Sequence, residues 1–172
     1  MRYTFFSIVF SIGILFNSLY GQETEIKKNT VSLEIAGTGL FYSFHYDRYI
    51  MLKDNFRLSA EAGIMYIPRI ENFSDFTYII GSNLALNLLW GKSKHYAELG
   101  FSYSYIDMLD YDSNHFSTFY NPLRIGYRYQ KDTGGLFFRV SFMPIFAIYQ
   151  DPDVEILYSV TPHFGLSIGY SF

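Results

Sequence analysis

The chain has 172 residues, of which 21% are aromatic (18 Phe, 17 Tyr and 1 Trp) and 17% are charged, with a formal net charge of −3. Soluble domains carry about 25% charged residues, the lack of cysteine excludes a disulfide framework and a thiol nucleophile, and a pI near 5.7 leaves no basic footprint for nucleic acid. An apolar share of 49% excludes disorder, and a mean hydropathy of only +0.07 means that the apolar residues are dispersed among polar ones rather than gathered into membrane helices.

Met1, Arg2 and Tyr3 give a short positive start, residues 4–16 form an apolar stretch broken only by small polar residues, and a charged run follows at 23–28. This is the layout of a secretory signal peptide, and the stretch is short of the ~20 residues that a spanning helix needs. Cleavage after Gly21 is expected, which divides the chain into a leader, 1–21, and one domain, 22–172. With no Cys behind the apolar stretch, a lipid-anchored lipoprotein is not expected.

From there on, hydrophobicity alternates with a period of two. Val31, Leu33 and Ile35 interleave with Ser32 and Glu34; Tyr42, Phe44 and Tyr46 with Ser43, His45 and Asp47. Leu58, Ala60, Ala62, Ile64 and Tyr66 oppose Arg57, Ser59, Glu61 and Gly63. Leu84, Leu86, Leu88 and Trp90 oppose Asn83, Ala85 and Asn87. Next come Ala97, Leu99, Phe101, Tyr103 and Tyr105 against Glu98, Gly100, Ser102 and Ser104. Leu123, Ile125, Tyr127 and Tyr129 alternate with Arg124, Gly126, Arg128 and Gln130; Leu136, Phe138, Val140 and Phe142 with Arg139 and Ser141. The last segment sets Phe164, Leu166, Ile168, Tyr170 and Phe172 against Gly165, Ser167, Gly169 and Ser171. Each is a strand with one apolar face, and there are eight.

The two faces differ in bulk. The polar face is mostly Gly, Ser, Ala and a few charges, whereas the apolar face carries aromatics, Leu and Ile. Small residues fit the interior of a narrow barrel, and large apolar ones belong against lipid. Apolar-out, polar-in segments of this kind predict an all-β fold, an eight-stranded antiparallel up-and-down transmembrane β-barrel, in which closure satisfies every backbone hydrogen bond.

The connections set an orientation. Leu52-Lys53-Asp54-Asn55, Gly91-Lys92-Ser93-Lys94 and Lys131-Asp132-Thr133-Gly134 are compact turn sequences, expected on the periplasmic side with both termini. The alternate connections, 68–77, 106–118 and 149–159, are longer and expected to be extracellular; the first, Gly37-Thr38-Gly39, reads as a tight hairpin. Tyr66, Tyr78, Tyr105 and Phe146 are expected at the outer interface, and Trp90, Tyr129 and Phe172 at the inner one, where amphipathic rings suit the headgroup level.

The terminal alternation with Tyr170 and Phe172 resembles the C-terminal signal read by the outer-membrane assembly machinery, with Ser167 where that pattern has Gly. The whole span 22–172 is similar to small eight-stranded outer-membrane barrels of the OmpA/OmpX type. The run Tyr127-Arg128-Tyr129-Gln130 followed by Gly134-Gly135 resembles barrels of Gram-negative Bacteroidota. The resemblance implies residence in the outer membrane as a multi-pass barrel, contact with its lipid and lipopolysaccharide, and delivery by the assembly machinery. It implies no cofactor.

The lumen is expected to hold Glu34, Asp47, Glu61 and Glu98 against Arg57, Arg124, Arg128 and Arg139. Counting from the strand ends puts Glu34, Glu61, Glu98, Arg128 and Arg139 at one height. Confined charges must pair to be tolerable, so a structural plug is the leading reading and a gated path for small ions the sharper one. For catalysis, as in outer-membrane lipid A deacylases and acyltransferases, three clusters qualify: Ser43, His45 and Asp47; His163 and Ser167; and His115 with Asp110, Asp112 and Ser113. Residues two apart on a strand are nearly 7 Å apart at the backbone, which argues against a relay, and the chain is expected not to be an enzyme. Asp110, Asp112 and Asn114 space like calcium ligands but lack the Gly and bidentate Glu of a calcium loop, so no metal is expected. The expected function is a structural or interaction barrel of the envelope, an accessory subunit of a larger complex, with Phe73, Phe76, Tyr111, Phe116 and Phe119 as candidate contacts for an envelope protein partner. A narrow channel for small or apolar solutes is the first alternative and a lipid A-modifying enzyme the second.

Overall fold

The structure, a computed structural model, describes residues 26–68, 76–110, 115–149 and 157–172. The leader and its cleavage site lie outside the described residues, as do 69–75, 111–114 and 150–156. The described chain is strand almost throughout: β1 (Asn29–Ala36), a 3-10 turn (Gly37–Gly39), β2 (Tyr42–Lys53), β3 (Phe56–Pro68), β4 (Phe76–Lys92), β5 (His95–Asp110), β6 (His115–Gln130), β7 (Gly135–Phe142), β8 (Ile145–Tyr149), β9 (Leu157–Thr161) and β10 (Phe164–Ser171). Successive strands from β1 to β7 pair antiparallel, β7 pairs with β10, and β10 pairs with β1. The ring is therefore closed. β8 and β9 continue β7 and β10 beyond a break, so ten segments make eight barrel strands.

Prolines make that break. Pro144 and Pro162 lack an N–H to give to a ladder, and they interrupt two neighbouring strands at the same height. Across the gap the Met143 N–H donates to the His163 carbonyl at 2.7 Å, and the Leu123 N–H to the Pro144 carbonyl at 3.3 Å. The wall thus holds together where its register is lost.

Inside and outside follow the alternation. Leu84, Phe101 and Ile168 are each more than half exposed on the outer wall, while Arg124, Arg128 and Arg139 are fully buried in the lumen. Short turns at Asp54 and Asn55, Ser93 and Lys94, and Asp132 and Thr133 share one end of the barrel with the C-terminus; this is called the turn end below, and the opposite end the loop end.

At the loop end, two expectations change. The connection expected over 106–118 is mostly strand, because β5 and β6 remain paired as far as Leu109 and His115. Alternation fades on β6 for a physical reason: residues 115–119 are all exposed, with no enclosed face to pattern, although Ile106 on the paired β5 is buried. The first connection also does more than turn. Beside it the wall is notched: β2 pairs with β3 only up to Ile64, and Met65 to Pro68 pair with β4 alone. The Tyr42 hydroxyl donates to the free carbonyl of Tyr66.

Candidate functional site

The most organised chemistry in the described residues is the packed lumen. Its charges come from adjacent walls, because inward positions two apart on each strand stack along the barrel axis. Glu34 (β1), Glu61 (β3) and Glu98 (β5) face Arg124 (β6) and Arg139 (β7), all fully enclosed. Arg139 donates to Glu61 at 2.5 Å and to Glu34 at 3.1 Å, and lies 3.5 Å from Glu98. Arg124 reaches Glu61 at 3.1 Å and Glu34 at 3.3 Å. Glu34 also accepts from Ser167 at 3.1 Å and from both the N–H and hydroxyl of Thr38, at 2.9 and 2.8 Å.

The expected layer is reorganised. Arg128 is not part of the central cluster; it lies toward the turn end in a forked pair with Asp47, at 2.7 and 3.1 Å, and comes no nearer Glu98 than 3.9 Å. Arg124 takes the central place. The strands of a closed barrel are tilted and staggered, so equal counts from strand ends do not mean equal heights. Arg128 and Arg139 are direct cross-strand partners, and their like charges splay in opposite directions along the axis. Arg57 leaves the cluster altogether. It pairs bidentately with Asp132 of the β6–β7 turn, at 2.7 and 3.0 Å, because the second residue of β3 is already at the turn end.

Sequence reading missed three participants. His45 lies between two acids, with one ring nitrogen 3.4 Å from Glu34 and the other 3.0 Å from Glu61. Four enclosed carboxylates, Glu34, Asp47, Glu61 and Glu98, meet three enclosed guanidiniums, so the imidazole is the side chain placed to carry the remaining positive charge. Thr38 is the second, drawn inward by the short hairpin. Tyr120 is the third, its hydroxyl donating to the Thr38 carbonyl. The inward phase of His45 was visible in the alternation; its partners, on other strands, were not, and Tyr120 lies before the stretch of β6 whose alternation was read.

Both ends of the charge cluster are closed. At the turn end, Tyr49, Leu89 and Tyr96 pack together, with Ile26 and Leu52 against them. The Arg57 guanidinium stacks 4.6 Å from the Tyr96 ring centre and the Arg128 guanidinium 5.2 Å from that of Tyr49. At the loop end Met65, Ile79, Ile106 and Tyr120 form an apolar cap with Leu40, Ile67, Met108 and Ile145. The cavity under this cap, bounded by Thr38, Ser43, Met65, Asn83 and Tyr120, is about 10 Å³, room for about one water.

Of the catalytic candidates, Ser43 and His45 do meet, at 2.7 Å. The backbone spacing misled, since side chains on one face lean together. Asp47 instead serves Arg128 and accepts from Ser59 at 2.8 Å. The Ser43–His45 pair is buried behind the charge cluster. Ser167 bonds Glu34 and Arg139 rather than His163. His115 is exposed, 3.8 Å from Asp107, while the Asp110 side chain, Asp112, Ser113 and Asn114 lie outside the described residues. Among the described residues no group of three metal-ligating side chains forms.

On the outer wall, Tyr66 and Trp90 are well exposed and Tyr78, Tyr105 and Tyr129 half-buried. Phe56 stacks on Trp90 with ring centres 6.2 Å apart. The side chain of Phe146 is outside the described residues. Tyr170 points outward, and the backbone of Phe172 exchanges hydrogen bonds with Asn29 at 2.8 and 3.1 Å, closing the ring at the chain's end. Of the candidate contact aromatics, Phe116 and Phe119 are exposed, and Phe119 stacks on Tyr103 at 5.2 Å and packs against Tyr105 at 4.9 Å. Phe73, Tyr111 and the Phe76 side chain lie outside the described residues.

No protein-family profile matches the chain, and no curated protein sequence matches it. Among solved structures it is similar to the N-terminal beta-barrel domain of Pseudomonas aeruginosa OprF, with a TM-score of 0.53 and 12% identity over 86% of this chain and 98% of that domain. At that identity the likeness is one of fold. The chain is a closed, eight-stranded, up-and-down barrel of the outer-membrane type.

Proposed function

We propose that the protein is an integral outer-membrane barrel with periplasmic termini that works through its outer surface, as a structural or interaction component of the envelope and an accessory subunit of a larger complex. The observation that carries this reading is the contrast between a lumen filled by paired charges and capped at both ends and an outer wall that is apolar around its circumference, from Leu84 and Phe101 to Leu136 and Ile168. Such a wall asks for lipid or a protein neighbour. A conduit would need the Arg139–Glu61–Arg124 contacts to part, and the Ser43–His45 pair is buried among the described residues.

The test is photo-crosslinking in intact cells from exposed positions on different sides of the barrel, such as Leu86, Phe116 and Leu136, followed by identification of the adducts. A reproducible partner confined to one side is expected. Monomer alone from every position would contradict the accessory-subunit role.

A further inference from the structure

The outer wall carries one feature that a uniform lipid-facing surface lacks. Among the described arginines, Arg48 alone points outward; Arg57, Arg124, Arg128 and Arg139 are buried. Its guanidinium donates to the Asn29 side-chain carbonyl at 3.3 Å, which also accepts from the Tyr46 hydroxyl at 2.8 Å. No carboxylate pairs with it among the described residues.

Next to this guanidinium is a groove of about 630 Å³ on the outer wall, crossing β10, β1, β2 and β3. Its lining is apolar: Val31, Leu33, Phe44, Ala62, Ile168 and Tyr170, with Tyr46 on its floor. The small Ala62 pairs with Tyr46, next to the bulkier Phe44–Ile64 pair, and leaves room in the groove. Arg48 follows Tyr46 by two residues on the same face of β2, and it pairs in register with Asn29 and Ala60, one step closer to the turn end. The charge thus stands at the turn-end mouth of the groove.

An arginine on a lipid-facing wall costs about 2–4 kcal/mol at the bilayer midplane and near zero at the interface. A guanidinium in the headgroup layer, with a long stem that can reach along the wall, matches phosphate through forked, charge-assisted bonds. The groove volume falls within the ~300–1,000 Å³ range of small-molecule sites, and its apolar lining suits an acyl chain. We propose that the groove and Arg48 form a seat for one glycerophospholipid, with an acyl chain lying across β1 and β2 and the phosphate held by Arg48 beside the Tyr46 hydroxyl and Asn29 amide. This rests on the membrane placement proposed above and adds a defined lipid to it.

Native mass spectrometry of the protein extracted from outer membranes in mild detergent tests the seat, with Arg48→Gln, Ala62→Trp and, on the far wall, Ala97→Trp compared with the parent chain. Heat-dependent gel migration checks that each variant is folded. The parent and Ala97→Trp are expected to carry one phospholipid, while Arg48→Gln and Ala62→Trp retain it about tenfold less, roughly what one charge-assisted bond is worth. Equal retention in all four proteins, no phospholipid on the parent, or a dimer mass that Ala62→Trp abolishes would overturn the proposal. A protein missing from the membrane fraction would fail earlier, sinking the membrane placement and the seat with it.

Discussion

Glu61 on β3 and Glu98 on β5 face the same lumen and differ in what surrounds them. Glu61 accepts from Arg139 at 2.5 Å and from Arg124 at 3.1 Å, and faces His45 at 3.0 Å. Glu98 approaches its three guanidiniums only at 3.5–3.9 Å, and its second oxygen has no hydrogen-bond partner among the described residues. Removing one partner from an enclosed, well-bonded charge group leaves the others uncompensated and costs about 3–5 kcal/mol, whereas loss of a long contact costs nearer ~1 kcal/mol. Glu61→Gln should therefore lower the urea midpoint of unfolding far more than Glu98→Gln. Equal midpoints would mean that the distances do not report the energetics. At this scale the sequence was partly legible. The phase of alternation put every one of the eight charges on the inward face, but a charge count could not say which acid meets which base. His45 escaped notice as a counter-charge because histidine looks neutral in a charge inventory, and the partner of Arg57 went unseen because it is in a turn, Asp132, rather than on a strand.

The first hairpin shows how one short element shapes the plug. Ala36, Gly37 and Leu40 all adopt positive φ, 57°, 71° and 62°, and this tight reversal folds Thr38 into the lumen, where it caps Glu34. A side chain at Gly37 would be strained by that φ, and its Cβ would come within 2.4 Å of the Glu34 carboxyl carbon. Gly37→Ala is expected to destabilise the barrel by about 1–3 kcal/mol, seen as a lower temperature for loss of the compact gel form; the same temperature as the parent would show that the turn does not hold Glu34. Space elsewhere in the lumen is just as tight. At Gly63 a Cβ would lie 2.1 Å from the Asn83 side-chain oxygen and 2.6 Å from the His45 ring. The eight strands were readable as elements since each has an enclosed face and an open one. The extra length of β5 and β6 was not, because residues 115–119 of β6 are exposed on both faces, and neither was the inward fold of the hairpin, which depends on Tyr120 from the opposite wall.

At the scale of the whole molecule, composition, wall and lumen have one explanation. Aromatics and branched apolar residues are plentiful because the outer surface is apolar, and charged residues are few because a narrow closed ring admits only compensated ones. The fold class was legible in full from this inversion of bulk, apolar and large outward, polar and small inward, since no soluble barrel tolerates it. The biological task was less so, because on the outer wall alternation says only that a residue is apolar. Closure of the lumen by Tyr49, Leu89 and Tyr96 at one end and by Met65, Ile79, Ile106 and Tyr120 at the other leaves the central charges between two caps. Planar-bilayer recording of the purified barrel tests this most directly. A sealed lumen predicts current no greater than that of the bare membrane after insertion, and steady steps of large conductance from the parent protein would contradict it.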